Sequence, residues 1–178
     1  MIKIYYMVFK FRALSGEVEN FARDYEISDQ NTLFELHQLI QSDLAYDASQ
    51  MASFFLVDHG WNKLREFTLF DLGEEADDME DAPVAMDVVT LKEVVKEKNQ
   101  RLLYTFDIFN DRSLFFEVLE HKKAEEGVKY PIVTYSMGDA PFQIEIPKNE
   151  GSVYDDVMED FNEFESYEEY NERSDDEF

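Results

Sequence analysis

The stretch YTFDIFNDRSLFFEVLE, Tyr104 to Glu120, decides which fold the chain can adopt. Large apolar side chains alternate with polar ones on both sides of the short polar segment FNDRS. A period of two predicts β-strands, and Asn110 and Asp111 are residue types that favour a turn between them. We therefore interpret the polar break as the turn of a hairpin rather than as a catalytic site. The pattern directs four apolar side chains into the sheet: Phe106, Ile108, Phe115 and Val118.

Two earlier segments predict a second hairpin followed by a helix. Residues 2–14 are rich in β-branched and aromatic side chains, the turn signal SGE follows, and NFARDYEI at 20–27 alternates again. A helix is predicted to begin at Thr32, because its hydroxyl can accept from the amide of Glu35 while the Glu35 carboxylate reaches back. Apolar residues then recur at helical spacing on one face: Leu33, Leu36, Leu39, Ile40 and Leu44.

The remaining segments complete an α+β domain that we place at residues 1–149. Strands are predicted in MASFFLV at 51–57, REFTLF at 65–70 and PIVTYSMGDAPFQIEIP at 131–147. A short helix should follow Thr90, with Lys96 and Lys98 near its C-terminus, where positive charge suits the helix dipole. The expected fold is a mixed or mainly antiparallel sheet of about five to seven strands, packed with two or three helices in an early hairpin-helix-strand order.

The charge of the chain limits the classes of partner. The 41 acidic residues outnumber the 16 basic ones, which gives a net charge of −25 and a pI near 4.2. Such a field repels phosphate backbones and anionic lipid, so we expect neither direct nucleic-acid binding nor membrane adsorption. The apolar run between Lys3 and Lys10 is too short for a signal sequence or a membrane span, which favours a cytoplasmic protein.

The residue types that hold metals and cofactors are scarce. The chain has no cysteine, and its three histidines are far apart in sequence. Disulfides, thiolate zinc sites and helical histidine pairs are therefore not expected. Residues 71–87 contain eight acids and no base, but they lack the spacing that wraps a loop around calcium. We interpret this segment as a solvated loop and predict no metal site and no cofactor.

Residues 150–178 differ from the rest of the chain. They hold 13 acids and a single base, Arg173, with aromatic residues between the charges. Spacing of apolar residues favours a helix that docks on the domain, whereas repulsion between like charges favours a segment that is disordered in isolation. We interpret this segment as an acidic aromatic tail. Its candidate interaction residues are Phe161, Phe164, Tyr167 and Tyr170.

Two stretches together resemble the plasmid pRiA4b ORF-3-like family of bacterial and archaeal proteins. TLFELHQLIQSDLAYDASQMASFFL, from Thr32, is similar to a family pattern in which a helix leads through an aromatic-Asp turn into a strand. LLYTFDIFNDRSLFFEVLE, from Leu102, resembles the family's Tyr-Asp-Phe-Gly-Asp hairpin. The resemblance spans roughly residues 4–143 and implies an α+β fold without an established molecular function. In the first stretch the matching positions are Leu33, Leu36, His37, Ile40, Gln41, Tyr46 and Asp47.

The chain departs from this family at positions that could carry chemistry. Where the family hairpin commonly has Gly, then Trp and His, this chain has Phe109 or Asn110, then Arg112, Ser113 and Leu114. Some family members are labelled resolvase-like, but resolvase chemistry needs a serine nucleophile, several arginines and a basic DNA-binding region, which the net charge disfavours. The polar residues that remain as a candidate site are His37, Tyr46, Asp47 and Asp107.

Three functional hypotheses follow. The first is a non-enzymatic protein-interaction module, whose acidic surface and tail engage a protein with a basic or aromatic-lined surface. The second is a mimic of nucleic acid, whose acidic tail regulates a basic partner and whose binding depends steeply on salt. The third is an enzyme that uses His37 as a base with a neighbouring carboxylate.

Overall fold

A single mixed sheet of eight strands dominates the computed structural model, which describes residues 6–73 and 82–144. These residues belong to one compact unit, Met1–Ile144. The strands are β1 Met7–Ser15, β2 Ala22–Ser28, β3 Ser53–Val57, β4 Lys63–Thr68, β5 Val84–Ala85, β6 Arg101–Asp107, β7 Arg112–Lys123 and β8 Ile132–Met137. Two helices are described, α1 Leu33–Leu44 and α2 Leu91–Val94.

The order of strands across the sheet is β5-β4-β3-β6-β7-β1-β2-β8. Neighbouring strands are antiparallel except β4 and β5, which pair in parallel. This confirms the α+β class with a mainly antiparallel sheet. The strand number exceeds the predicted five to seven by one. The two-residue strand β5 adds to the count, and it lies within the segment 71–87 that the sequence pattern assigns to a loop.

The hairpin predicted from Tyr104 to Glu120 is formed by β6 and β7, with Asp107 opposite Arg112. Phe106 and Val118 are buried in the core, as expected. The prediction for Ile108 is wrong, because β6 ends at Asp107 and Ile108 lies exposed in the turn.

Helix α1 begins where the capping box predicts. The amide of Glu35 donates to Thr32 Oγ1 at 3.2 Å, and the amide of Thr32 donates to Glu35 Oε2 at 2.7 Å. The short helix α2 follows Thr90, also as expected, but it ends at Val94. Lys96 and Lys98 therefore lie beyond its last turn, contrary to the prediction.

One face of the sheet packs against α1 and carries the largest aromatic side chains of the core. Tyr25 on β2 donates its hydroxyl to Asp43 on α1 at 2.8 Å, which ties this face to the helix. The sheet residues of this face that are fully buried include Phe11, Tyr25, Phe54, Tyr104 and Phe116.

The opposite face is divided into an apolar half and a charged half. Leu14, Phe115, Leu103 and Phe55 lie in register across β1, β7, β6 and β3. Towards β2, Arg12 contacts both carboxylate oxygens of Asp24, at 2.8 and 2.9 Å. Asp24 is buried although Arg12 is half exposed, and Lys10 Nζ lies 3.7 Å from Asp24 Oδ2, so two cations compensate this buried carboxylate.

Candidate functional site

His37 is buried between α1 and the sheet. Its side chain is 2% exposed, and Nδ1 lies 2.9 Å from the hydroxyl of Tyr104. Burial lowers the pKa of His37 to about 4, so the imidazole is neutral at pH 7. Among the described residues no carboxylate bonds to this ring. The geometry is that of a packed core histidine and not of a base that reaches a substrate.

Tyr46 and Asp47 lie together after α1, where they hold the chain segment that follows β8. The hydroxyl of Tyr46 donates to the carbonyl of Pro141 at 2.7 Å. The amide of Asp47 donates to Gln143 Oε1 at 2.6 Å, and Gln143 Nε2 donates back to the carbonyl of Asp47 at 3.1 Å. Asp47 therefore contributes its main chain here, while its carboxylate accepts from the amide of Ser49 at 2.8 Å.

Asp107, the fourth candidate residue, contacts Arg112, which joins three distant parts of the chain. Arg112 donates to both carboxylate oxygens of Glu17 at 2.9 and 2.8 Å and to Asp107 Oδ2 at 3.4 Å. It also donates to the carbonyls of Phe142, at 2.7 Å, and Gln143, at 3.3 Å. We call these residues, Arg112 with Glu17, Asp107, Phe142 and Gln143, the Arg112 clamp.

Arg112 makes its ion pairs with Glu17 and Asp107 and not with the adjacent Asp111. Asp111 instead accepts from Lys63 Nζ at 2.7 Å. Burial raises the pKa of Asp107, but hydrogen bonds from Asn110 and from Arg112 outweigh it and hold the pKa below the usual range. The candidate polar residues other than His37 thus fasten chain segments to each other.

Four exposed apolar side chains lie on the two segments that Arg112 joins. Ile108 and Phe109 are in the β6–β7 turn, and Phe109 is 95% exposed. Phe142 and Ile144 are 73% and 61% exposed and follow β8. We call this set the tip patch. The patch was not predicted from the sequence, because the alternating pattern assigns Ile108 to the sheet. The polar segment FNDRS was the available signal that the strand ends here and that an exposed turn follows.

A cavity of ≈ 380 Å³ opens beside the clamp on the face of the sheet opposite α1. Trp61 and Phe115 line it and meet edge to face, with ring centres 4.9 Å apart. Lys63 and Arg112 supply positive charge, and each is paired with an acid of the same cavity wall, Asp111 or Glu17. Trp61 lies in the turn between β3 and β4, so its approach to Phe115 depends on the pairing of β3 with β6 and of β6 with β7 and does not follow from the sequence pattern.

The other predicted interaction residues lie outside the described part of the chain. These are Phe161, Phe164, Tyr167 and Tyr170, and residues 74–81 of the acidic loop 71–87 are outside it as well. Within residues 6–73 and 82–144, no group of three or more His, Cys, Asp or Glu side chains is arranged to hold a metal ion. No helix of the described chain is both long and apolar enough to cross a membrane.

Comparisons with known proteins agree with the resemblance noted in the sequence. A protein of unknown function from Methanosarcina mazei Go1, solved by crystallography, has a similar fold, with a TM-score of 0.62 and 19% sequence identity over 87% of this chain and 80% of that one. A search of curated proteins finds no significant match. The family of plasmid pRiA4b ORF-3-like proteins matches residues 8–178, a range that includes the acidic residues from Glu150 onwards. The chain therefore belongs to the plasmid pRiA4b ORF-3-like protein family.

Proposed function

We propose that this protein is a non-enzymatic protein-interaction module. Its tip patch supplies an apolar anchor, and the acidic residues of 150–178 supply electrostatic attraction. The partner is a protein whose apolar cleft is surrounded by lysine and arginine. The observation that carries this proposal is the exposure of Phe109 and Phe142 on segments that are held by one partly buried arginine, Arg112.

The tip patch has the chemistry of a binding anchor. Aromatic side chains contribute a large share of the binding energy of protein interfaces, and clustered exposed apolar residues mark such interfaces. The Arg112 clamp holds the β6–β7 turn and the segment around Phe142 in place before any partner binds. A preformed anchor loses little conformational entropy on binding, which favours affinity.

The charge of the chain adds a second source of recognition. Residues 150–178 carry 13 acids and one base, and they follow the tip patch in the sequence. Acidic residues near an apolar anchor accelerate encounter with a basic partner and disfavour acidic ones. The aromatic residues predicted as anchors in this segment, Phe161, Phe164, Tyr167 and Tyr170, would add contacts of the same kind.

Enzyme chemistry through His37 is the weaker hypothesis, because this buried imidazole does not reach a substrate in solvent and its pKa, lowered to about 4, makes it a weak base. Three of the four candidate polar residues, Tyr46, Asp47 and Asp107, are occupied by bonds within the chain. These contacts support a structural role for that cluster.

The proposal is tested by identifying a cross-linked partner from a lysate of the source organism and measuring its affinity as a purified protein. We expect Phe109→Ser to weaken binding by about tenfold or more, as for an aromatic anchor. Val88→Ser is the matched control, because Val88 is also exposed but lies far along the chain, beside α2. Equal binding by both variants and the unaltered chain would refute the tip patch as the anchor.

The second candidate function, mimicry of nucleic acid, rests on the net charge of −25. It predicts that binding falls steeply with salt and does not depend on Phe109. A full-length chain with amides in place of the 13 acids of residues 150–178 separates the two. Mimicry loses all binding in this variant, whereas an anchored interaction retains part of its affinity.

A further inference from the structure

Strand β8 forms one edge of the sheet and is exposed along most of its length. It pairs with β2 on one side, and no strand in the described part of the chain pairs with its other side. The residues from Thr134 to Met137 are exposed, with Tyr135 at 45% and Met137 at 41%. An exposed strand edge presents free backbone N–H and C=O groups, which bind another β-strand.

The opposite edge of the sheet is protected in the ways that natural proteins use. Strand β5 is only two residues long, and the part of β4 that it leaves unpaired carries Lys63, Arg65 and Glu66. Short strands and charged side chains prevent edge-to-edge pairing. In contrast, the sequence of β8, IVTYSM, has six residues and no charge in a chain whose residues are 32% charged. Four of its six residues, Ile132, Val133, Thr134 and Tyr135, also have high β-propensity.

The β8 edge is held in a fixed position. The guanidinium of Arg23 donates to the carbonyl of Met137 at 2.8 Å and to that of Gly138 at 3.0 Å. Arg23 is itself paired with Asp43 on α1, at 3.2 Å. A strand held in this way is ready to pair without a further ordering cost.

We propose that the occupant of this edge is β8 of a second copy of the chain, paired antiparallel about a two-fold axis. A symmetric interface must be complementary to itself, because each residue meets the same surface from the other copy. β8 meets this condition, since every pair it can form with itself is uncharged and no like charges face each other. The two sheets then continue across the interface. The tip patch plays no part in this contact.

The charge of the copies gives the dimer a distinctive salt dependence. Each copy carries −25, so repulsion outside β8 opposes association at low salt and is screened at high salt. The dimer therefore strengthens as salt is added. Binding of a basic partner weakens under the same conditions. Because the two associations respond to salt in opposite directions, the dimer can be tested independently of the proposed function.

The test is sedimentation equilibrium of the full chain at low and high NaCl, for the unaltered protein and for lysine variants. Thr134→Lys places a charge at the centre of β8, and Leu64→Lys makes the same charge change on exposed β4. Lysine reduces the net negative charge, so by charge alone both variants should associate more strongly. We expect the unaltered chain and Leu64→Lys to dimerise with an affinity that rises with salt, and Thr134→Lys to remain monomeric.

A second variant of β8 is included so that the test does not depend on one substitution that could prevent folding. Tyr135→Lys changes a different side chain of β8, which lies opposite Asp24 in the register and 6.0 Å, at its ring centre, from the guanidinium of Arg12. Circular dichroism confirms folding of each variant, and both edge variants are expected to be folded monomers. An unaltered chain that stays monomeric at high salt, or a folded edge variant that dimerises as strongly as Leu64→Lys, overturns the proposal.

Discussion

Arg112 shows how one side chain can hold distant segments together. Its guanidinium bonds to Glu17, Asp107 and the carbonyls of the segment after β8, and it lies over the ring of Phe106, 4.9 Å from the ring centre. We expect Arg112→Ala to lower the free energy of unfolding by about 2–3 kcal/mol, because it removes several charge-assisted bonds, including both bonds that the Glu17 carboxylate accepts. Urea denaturation measures the loss.

The control for Arg112 is Lys63→Ala. Lys63 also pairs with an acid, but Asp111 is largely exposed, and exposed ion pairs contribute less than about 1 kcal/mol. If the two substitutions cost the same, the clamp is only another surface ion pair.

His37 predicts a pH dependence of stability. Its pKa falls from 6.5 to about 4 on folding, so between these values the unfolded chain binds a proton that the folded chain does not. The free energy of unfolding must therefore fall as the pH is lowered through this window, by about 2 kcal/mol between pH 7 and about 5. Working above pH 5 keeps the protein away from its pI near 4.2.

His37→Gln isolates this contribution, because glutamine can bond to Tyr104 but does not titrate. We expect the difference in unfolding free energy between the unaltered chain and the variant to shrink as the pH falls from 7 towards 5. Titration by NMR should show a neutral His37 ring throughout. A difference that stays constant with pH would contradict the buried, neutral state.

His37 and Arg112 show which contacts of a single side chain could be predicted from the sequence and which could not. His37 lies beside Leu36 and Ile40 of the apolar stripe of α1, and helical spacing is enough to place it against the core. The pairing of Arg112 with Glu17 was not predicted, because Glu17 is 95 residues away and meets Arg112 only through the pairing of β1 with β7. Spacing along the chain predicts local neighbours, whereas ion pairs between strands depend on register.

Among the elements, the end of β8 depends on one glycine. Gly138 has φ +69, and a Cβ there would lie 2.4 Å from the carbonyl oxygen of Asn20. Gly127 also has a positive φ, +83, but nothing lies within 4 Å of its Cβ position. Alanine should cost about 1–2 kcal/mol at either site for the backbone conformation and a further ~1–3 kcal/mol at Gly138 for the overlap.

Thermal or urea unfolding of Gly138→Ala and Gly127→Ala measures this difference directly. Amide exchange in β8 should also accelerate in the first variant alone, because the overlap displaces β8 from the β1–β2 turn. Equal losses in both variants would show that the approach to Asn20 relaxes without cost.

The elements were better predicted than their contacts, for a physical reason. Thr32 and Glu35 satisfy the first amides of α1 locally, so the helix start was confirmed. Strand β5 was not foreseen, because Val84 and Ala85 carry no periodic pattern and form a strand only through pairing with Phe67 and Thr68. The same dependence on partners explains why the cavity beside Trp61 could not be predicted.

At the scale of the whole molecule, the fold constrains function only weakly. The 19% identity to the Methanosarcina mazei protein accompanies a shared fold, and one fold hosts many functions. A property that acts on the whole chain is the net charge of −25, of which residues 150–178 contribute −12, from 13 acids and one base. This charge should act on stability as well as on binding.

We expect the thermal midpoint of unfolding to rise by a few degrees when NaCl is increased from about 10 mM to about 1 M. The Debye length falls over this range from about 30 Å to about 3 Å, so repulsion between acids of the folded chain is screened. About 1 kcal/mol of relieved repulsion shifts the midpoint of a domain of this size by roughly 2–4 °C.

The variant with amides in place of the 13 acids of residues 150–178 separates screening from other effects of salt. Its net charge is −25 plus 13, or −12, so less repulsion remains to be screened. Differential scanning calorimetry should give it the higher midpoint at low salt and the smaller rise with NaCl. Parallel salt curves for the two chains would mean that the acidic segment does not act on the stability of the domain. Its charge would then serve binding alone, and the salt dependence of partner affinity would be the property to measure.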